Sequence, residues 1–533
     1  MRPLFIFLFH LSIGLASLSS GGPLSANQKA MDVSHYTLDI KVDPYKETIG
    51  GSVKINFKLL QQVNPIELDL KDGFVVSGAL IDGMSLSYKH QNNKIYIENP
   101  GIDLFSEHVV EIKYGGKPPE ALNPPWEGGF TWERSKDGSP WVGVSCQANG
   151  AHIWYPCKEH PSDKPNGADI FVTVPDPLMV ISNGLLQSVV SQKNKWSKWH
   201  WKTNYPISTY NINITIGSFL TVEKEAYILN EPLSLVYYVL PEMEQGSEGL
   251  LDEAEEHIRF YASHFGQYPW IDEKFGLVHT PYSGMEHQTI NAYGNNYRKT
   301  KRGYDFILFH EAGHEWWGNY LSVSDWADLW IHEGFDTYAE AIYIEEKYGI
   351  ESREEFVENR LRGNIKNEFP VVPPKNAFAK NRSGNDVYYK GAFILHMLRY
   401  LIGYDVLKET LKEFIYMPKE MTGNQTSTKE FVSLVNENAG QDLAWFFEQY
   451  LFKASLPTLK LTKKPYKDKV YVDIWWEEKG FVMPLDIVYD SFDGKRERKI
   501  ELNNSPKRIV IPKGSELSID PNEWILFDLD EVN

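Results

Sequence analysis

From Met31 to about Glu223 apolar and polar residues alternate with a period of two, as in Tyr36-Thr37-Leu38-Asp39-Ile40-Lys41-Val42, Val53-Lys54-Ile55-Asn56-Phe57 and Lys94-Ile95-Tyr96-Ile97. A strand turns successive side chains to opposite faces, so this pattern predicts sheets with one buried face. Asp72-Gly73, Asp82-Gly83 and Asn92-Asn93 supply turns between the runs, which points to a mainly antiparallel β domain. The stretch Pro241 to Gly249, rich in Glu and Gly, reads as the connection into a helical domain. From Leu250 the period lengthens: Ala254, Ile258, Tyr261 and Phe265 recur at spacings of three and four, which is helical. Further helices are expected over Tyr304 to Tyr320, Glu333 to Tyr348, Phe393 to Leu401, Val406 to Tyr416, Thr428 to Asn438 and Leu443 to Phe452. From Thr458 to Asp528 alternation returns, as in Lys469-Val470-Tyr471-Val472-Asp473-Ile474-Trp475, and predicts a small β-sandwich. The expected architecture is a multidomain α+β chain: an antiparallel β domain over 24–225, a mainly helical domain over 226–455, and a C-terminal β-sandwich over 456–533.

The apolar helical run around Phe306, Ile307, Phe309, Trp316 and Trp317 contains His310-Glu311-Ala312-Gly313-His314. Two histidines four residues apart project from one helix face a turn apart, a metal-chelating spacing. A glutamate buried beside them is costly unless a cation compensates it. The next helix carries Glu333, with eighteen residues between it and His314. Two His and one Glu leave the fourth tetrahedral position of a Zn2+ ion open to water, whereas structural zinc sites are usually closed by four ligands, often thiolates. No cysteine lies in this segment. The pattern therefore predicts one catalytic zinc per chain on His310, His314 and Glu333, with Glu311 near the metal without ligating it, as a general base must be. Glu340, two turns beyond Glu333, reads either as a group orienting a ligand histidine or as a solvated glutamate.

Composition narrows the alternatives. A chain of 533 residues with 42% hydrophobic and 14% aromatic residues can build several cores. A net charge of -18 argues against a nucleic-acid partner, because no basic surplus is present to displace counterions. Met1-Arg2, the apolar run from Leu4 to Leu15 and the small residues Ala16, Ser17, Ser19 and Ser20 have the layout of a secretory signal peptide over residues 1–20, the alternative being an uncleaved anchor. Export to a periplasmic or extracellular space is expected, with no other stretch approaching the length of a membrane span and with a soluble, monomeric mature chain. The two cysteines, Cys146 and Cys157, are read either as one bridge or as two buried thiols.

The run His310-Glu311-Ala312-Gly313-His314-Glu315-Trp316-Trp317-Gly318-Asn319, then Asp325-Trp326-Ala327-Asp328-Leu329-Trp330, then Glu333-Gly334-Phe335, resembles the gluzincin aminopeptidases, of the aminopeptidase N and leukotriene hydrolase type. The opening Asp32 to Ile40 is similar to the start of that family's N-terminal domain. The resemblance implies a thermolysin-like catalytic domain and zinc-dependent removal of N-terminal residues from peptides. Ser283-Gly284-Met285-Glu286-His287 resembles the exopeptidase motif Gly-x-Met-Glu-Asn, which implies that Gly284, Met285, Glu286 and His287 bind substrate, Glu286 at the terminal ammonium. Ser283 and His287 depart from the motif, and a histidine titrating near neutrality there predicts that His287→Asn shifts the acidic limb of the pH profile. Gln147 occupies the position that helps hold the substrate's amino group. In Tyr388-Tyr389-Lys390-Gly391, similar to the family's Tyr-x-Lys-Gly, Tyr388 is implied to stabilise the oxyanion. An endopeptidase is disfavoured by the Glu286 segment. An epoxide hydrolase of the leukotriene branch is disfavoured by Lys380 and Ser383, where that branch has an acid and a second tyrosine. A zinc-retaining binding protein is disfavoured by the presence of both Glu311 and Tyr388. Many relatives carry a large C-terminal helical domain with no counterpart in this sequence, which implies a more open cleft.

Overall fold

The computed structural model describes residues 19–381, 384–419 and 422–532. Residues 1–18 of the expected leader, and Ser383, lie outside the described residues. Ser19 and Ser20 belong to the fold. Ser20 is buried, its hydroxyl donating to Glu159 Oε1 at 2.7 Å and accepting from Trp326 Nε1 at 2.9 Å, so a leader ending after residue 20 would remove a group that ties two parts of the molecule together.

The period-two pattern becomes an eight-stranded sheet. Met31–Asp43 buries Tyr36, Leu38, Ile40 and Val42 and exposes Asp39 and Lys41. It pairs antiparallel with Thr48–Leu59 and parallel with Ala168–Pro175, the latter an addition to the antiparallel expectation. A four-stranded sheet, Met179–Ser182, Ile214–Gly217, Pro140–Ser145 and Gly129–Arg134 in that order, and a three-stranded one complete this β-rich part.

The hairpin Leu220–Ile228 and Glu231–Val239 is assigned differently from the expected boundary. It pairs parallel with Phe275–His279 and joins a five-stranded sheet ending in Asn291–Tyr293 and the edge strand Gly284–Met285. Alternation announces a strand but not the sheet it joins, so Leu220–Ile228 reads in sequence like the strands before it. Against this sheet pack Ser247–Phe265 and Phe306–Gly313; Trp330–Tyr348 packs on Phe306–Gly313 and on Tyr389–Ile402, and Tyr404–Tyr416, Thr428–Ala439 and Ala444–Tyr450 follow. Residues 458–531 form two sheets, of four and three strands.

Candidate active site

The metal-spaced histidines sit on the short helix Phe306–Gly313, which starts where Asp305 leaves the extended region and accepts from Leu308 N–H at 3.2 Å. Asp305 also receives the Tyr293 hydroxyl at 2.5 Å and Asn295 Nδ2 at 2.7 Å, which fixes the helix start to the sheet. The helix ends earlier than the apolar run suggests. His314 caps it with α-like φ/ψ, so the one-turn relation to His310 is kept.

His310 Nε2 and His314 Nε2 stand 3.1 Å apart, with Glu333 Oε2 at 3.7 Å from the first and 3.4 Å from the second. His310 Nδ1 is 2.5 Å from Asp336 Oδ2, and His314 Nδ1 is 2.8 Å from the carbonyl of Trp317. With each Nδ1–H donated outward, both Nε2 lone pairs point inward at a carboxylate. Such acceptors repel one another unless a proton or cation sits among them, and two imidazoles with one carboxylate are a zinc donor set. The residues therefore fit the ion. The proton is the competitor: burial lowers the His310 pKa, but the charge and hydrogen bond of Asp336 together with the Glu311 charge bring the ring to about 9, and Glu333, with Glu286 and Asp336, raises His314 against its burial.

Glu311 projects from the same helix into a cavity of about 240 Å³. Burial pushes its pKa up to about 8, with His310 and His314 acting in the opposite direction. Gly284 is required beside it, since a Cβ there would collide with the Glu311 carboxylate and Ile307. The Glu286 carboxylate lies in the same group: ligand atoms of Glu286, Glu311 and His314 are all within 4.8 Å of one another. Gln147 Nε2 donates to Glu286 Oε1 at 2.5 Å and the Tyr210 hydroxyl donates to the same oxygen at 3.2 Å. Gln147 thus reaches the cavity from the β-rich part, across 139 residues of sequence. Tyr388 also lines the cavity, its ring 6.1 Å from that of His310. It is held there because the helix it precedes packs on Trp330–Tyr348 through Gly334 and Gly391, whose backbones approach too closely for any side chain.

Of the sequence candidates, His310, Glu311, His314, Glu333, Tyr388, Gln147, Gly284, Met285 and Glu286 all border one cavity. His287 does not. Its ring is fully buried, 3.1 Å from Asn213 Nδ2, and burial lowers its pKa to about 3. It remains neutral across the working range, so the expected shift of an acidic limb through His287 is withdrawn. Burial reverses the effect that exposure to the cleft would have had. Glu340 borders the cavity but accepts from the Tyr304 hydroxyl rather than from a ligand histidine. The histidine's partner is Asp336, three residues after Glu333 and so on the same helix face, a spacing that was available as a signal. Tyr210 left no signal in sequence. Glu315 is buried as a structural hub, accepting from Thr289 N, Asn291 Nδ2, Trp270 Nε1 and Asn319 Nδ2. Cys146 and Cys157 are separate, buried thiols.

Residues 32–211 match the Peptidase M1 N-terminal domain and residues 250–450 the Peptidase family M1 domain. Tricorn protease-interacting factor F2 of Thermoplasma acidophilum is 23% identical over 419 residues, 74% of this chain and 51% of that protein. Endoplasmic reticulum aminopeptidase 1 of Mus musculus is 25% identical over 361 residues, 63% and 37% of the respective chains. Leukotriene A-4 hydrolase of Xenopus laevis is 23% identical over 425 residues, 74% and 66%. The chain spans from about a third to two thirds of the length of these relatives. The crystal structure of an M1 zinc metallopeptidase from Deinococcus radiodurans shares the fold, with a TM-score of 0.68 at 21% identity over 82% of this chain and 96% of that one. The two matched segments, the zinc donor set within the second of them and the shared fold agree, and the chain belongs to peptidase family M1.

Proposed function

We propose that this protein is a zinc-dependent aminopeptidase that removes residues one at a time from peptides with a free N-terminus. The observation that carries the reading is the Glu286 carboxylate, joined by Gln147, within 4.8 Å of Glu311 and His314. An anionic acceptor so close to the hydrolytic group selects the one cationic feature that distinguishes a peptide's end from its middle.

Zinc held by His310, His314 and Glu333 supplies Lewis-acid chemistry, acidifying a water molecule and polarising the scissile carbonyl. Glu311 takes the proton from the attacking water and delivers it to the leaving amine. A buried carboxyl with a raised pKa suits both halves of that transfer. The Tyr388 hydroxyl donates to the oxygen that gains negative charge. Glu286 and Gln147 anchor the substrate ammonium, fixing which carbonyl faces Glu311.

The remaining parts of the reading are a β-sandwich over residues 456–533, unit boundaries at residues 225/226 and 455/456, and a monomer. Export is supported by the apolar run from Leu4 to Leu15 and the small residues Ala16, Ser17, Ser19 and Ser20 that follow it. No helix among the described residues is long and apolar enough to cross a membrane. The test of the mechanism uses a short peptide with a free N-terminus followed by mass spectrometry. A chelator abolishes stepwise loss of residues and zinc restores it, and Glu311→Gln lowers the rate by about 100-fold or more while keeping bound zinc. Chelator-resistant cleavage, or a Glu311→Gln variant with more than about a tenth of wild-type turnover, contradicts it.

A further inference from the structure

The cavity has a cationic pole that the reactions above leave unused. Arg360 lines its wall with the guanidinium 5.4 Å over the Phe306 ring and 5.2 Å over the Tyr389 ring. It is the only lysine or arginine among the described lining residues, which include four glutamates. Among the described residues no carboxylate lies within 4.0 Å of its guanidinium, and beyond the backbone bonds of its helix the residue takes part in the bond its carbonyl accepts from Asn364 Nδ2. Stacking between aromatic faces holds an arginine in place while leaving its in-plane N–H donors available. Glu340 also lines the cavity; burial raises its carboxyl pKa, the Tyr304 hydroxyl it accepts from and the Arg360 charge act the other way, and the Arg360 charge acts from beyond 4.0 Å.

The two poles line one cavity and adjoin different members of the reacting group. Glu286 is grouped with Glu311 and His314. Arg360 is grouped with His310: Phe306, under the guanidinium, stacks on the His310 ring at 5.6 Å and 20°, and Tyr389 follows Tyr388, whose ring is 6.1 Å from His310. A peptide whose ammonium sits at Glu286 therefore has Arg360 within the same cavity of about 240 Å³. Each added residue carries the C-terminal carboxylate roughly 3.5 Å further along, so only a short peptide brings both of its charged ends to both poles.

We infer that Arg360 receives the C-terminal carboxylate of the substrate, and that the substrate class is very short peptides, dipeptides and tripeptides with both termini free. The inference rests on the aminopeptidase reading and adds Arg360 as a specificity-determining residue. A guanidinium paired with a carboxylate through two N–H bonds makes a strong, directional contact, lost when the carboxylate is capped as an amide.

The experiment compares kcat/KM for a dipeptide and its C-terminal amide, and for an octapeptide and its amide. The wild type is expected to prefer the dipeptide acid by about 10- to 100-fold, mostly through KM, and to show a ratio near one for the octapeptides. Arg360→Met brings the dipeptide ratio to near one, while Arg360→Lys retains part of it. A wild-type ratio near one for the dipeptides, or a ratio preserved in Arg360→Met, overturns the inference and leaves the aminopeptidase reading standing. Cleavage of none of the four peptides overturns both.

Discussion

Asp336 is the residue whose replacement probes the metal site most sharply, because it touches His310 without being a ligand. Its Oδ2 lies 2.5 Å from His310 Nδ1, its Oδ1 accepts from the Tyr261 hydroxyl at 2.7 Å, and the side chain is 1% exposed. A hydrogen bond to a charged acceptor contributes about 1.5–3 kcal/mol and a neutral one about 0.5–1.5 kcal/mol, so Asp336→Asn loses on the order of 1.4 kcal/mol, or about tenfold in zinc affinity. Asp336→Ala leaves the histidine N–H and the Tyr261 hydroxyl without their acceptor, and about 100-fold is expected. The assay is zinc competition against a chelator of known affinity, run at about pH 9, where the His310 proton no longer competes strongly. Toward lower pH the wild-type affinity falls more steeply than that of Asp336→Asn. Burial lowers the His310 pKa in both proteins, and only the wild type has the carboxylate that overrides it. Both variants binding zinc within about twofold of wild type at pH 9, with parallel pH slopes, would refute the role given to Asp336.

The same geometry sets two further outcomes. Tyr388→Phe is expected to lower kcat by about 100-fold or more with little change in KM, since the phenol's hydrogen bond forms with charge that develops in the transition state; steady-state kinetics on a short peptide decide this. His287 should report on folding rather than catalysis. Its folded pKa of about 3 lies below its ordinary value of 6.5, so the unfolded chain binds the extra proton and stability is lost as pH falls below about 6.5. At pH 5 the loss through this one ring is about 2 kcal/mol. Denaturant unfolding of His287→Asn should show that much less pH dependence between pH 7 and 5, and the acidic limb of its kcat/KM profile should match wild type.

The metal helix was legible because its signals are local: the four-residue histidine spacing, the apolar run that carries it, and Glu333 on the next helix. Strands were legible for the same reason, as in Met31–Asp43, where burial follows the alternation residue by residue. Which sheet a strand joins depends on contacts distant in sequence, so alternation placed Leu220–Ile228 with the strands before it although it pairs with Glu231–Val239. Side chains that meet only in the fold were the least legible. Tyr210 and Glu286 are 76 residues apart, and Gln147 was assigned through family resemblance alone. His287 illustrates the converse case: its position beside Glu286 suggested the cleft, whereas the backbone turns the ring into the protein. For Glu340 the helical arithmetic correctly placed it on a face shared with Glu333, but Tyr304, thirty-six residues earlier, takes its carboxyl.

The most direct measurement of the central claim is hydrolysis of one short peptide with a free N-terminus against its N-acetylated twin, each with and without chelator, using the wild type and Glu286→Ala. Chelator-sensitive release of single residues from the free peptide alone, with the preference sharply reduced in Glu286→Ala, is the predicted result. Equal cleavage of the free and acetylated peptides by the wild type would contradict the account, because the carboxylate beside Glu311 would then select nothing.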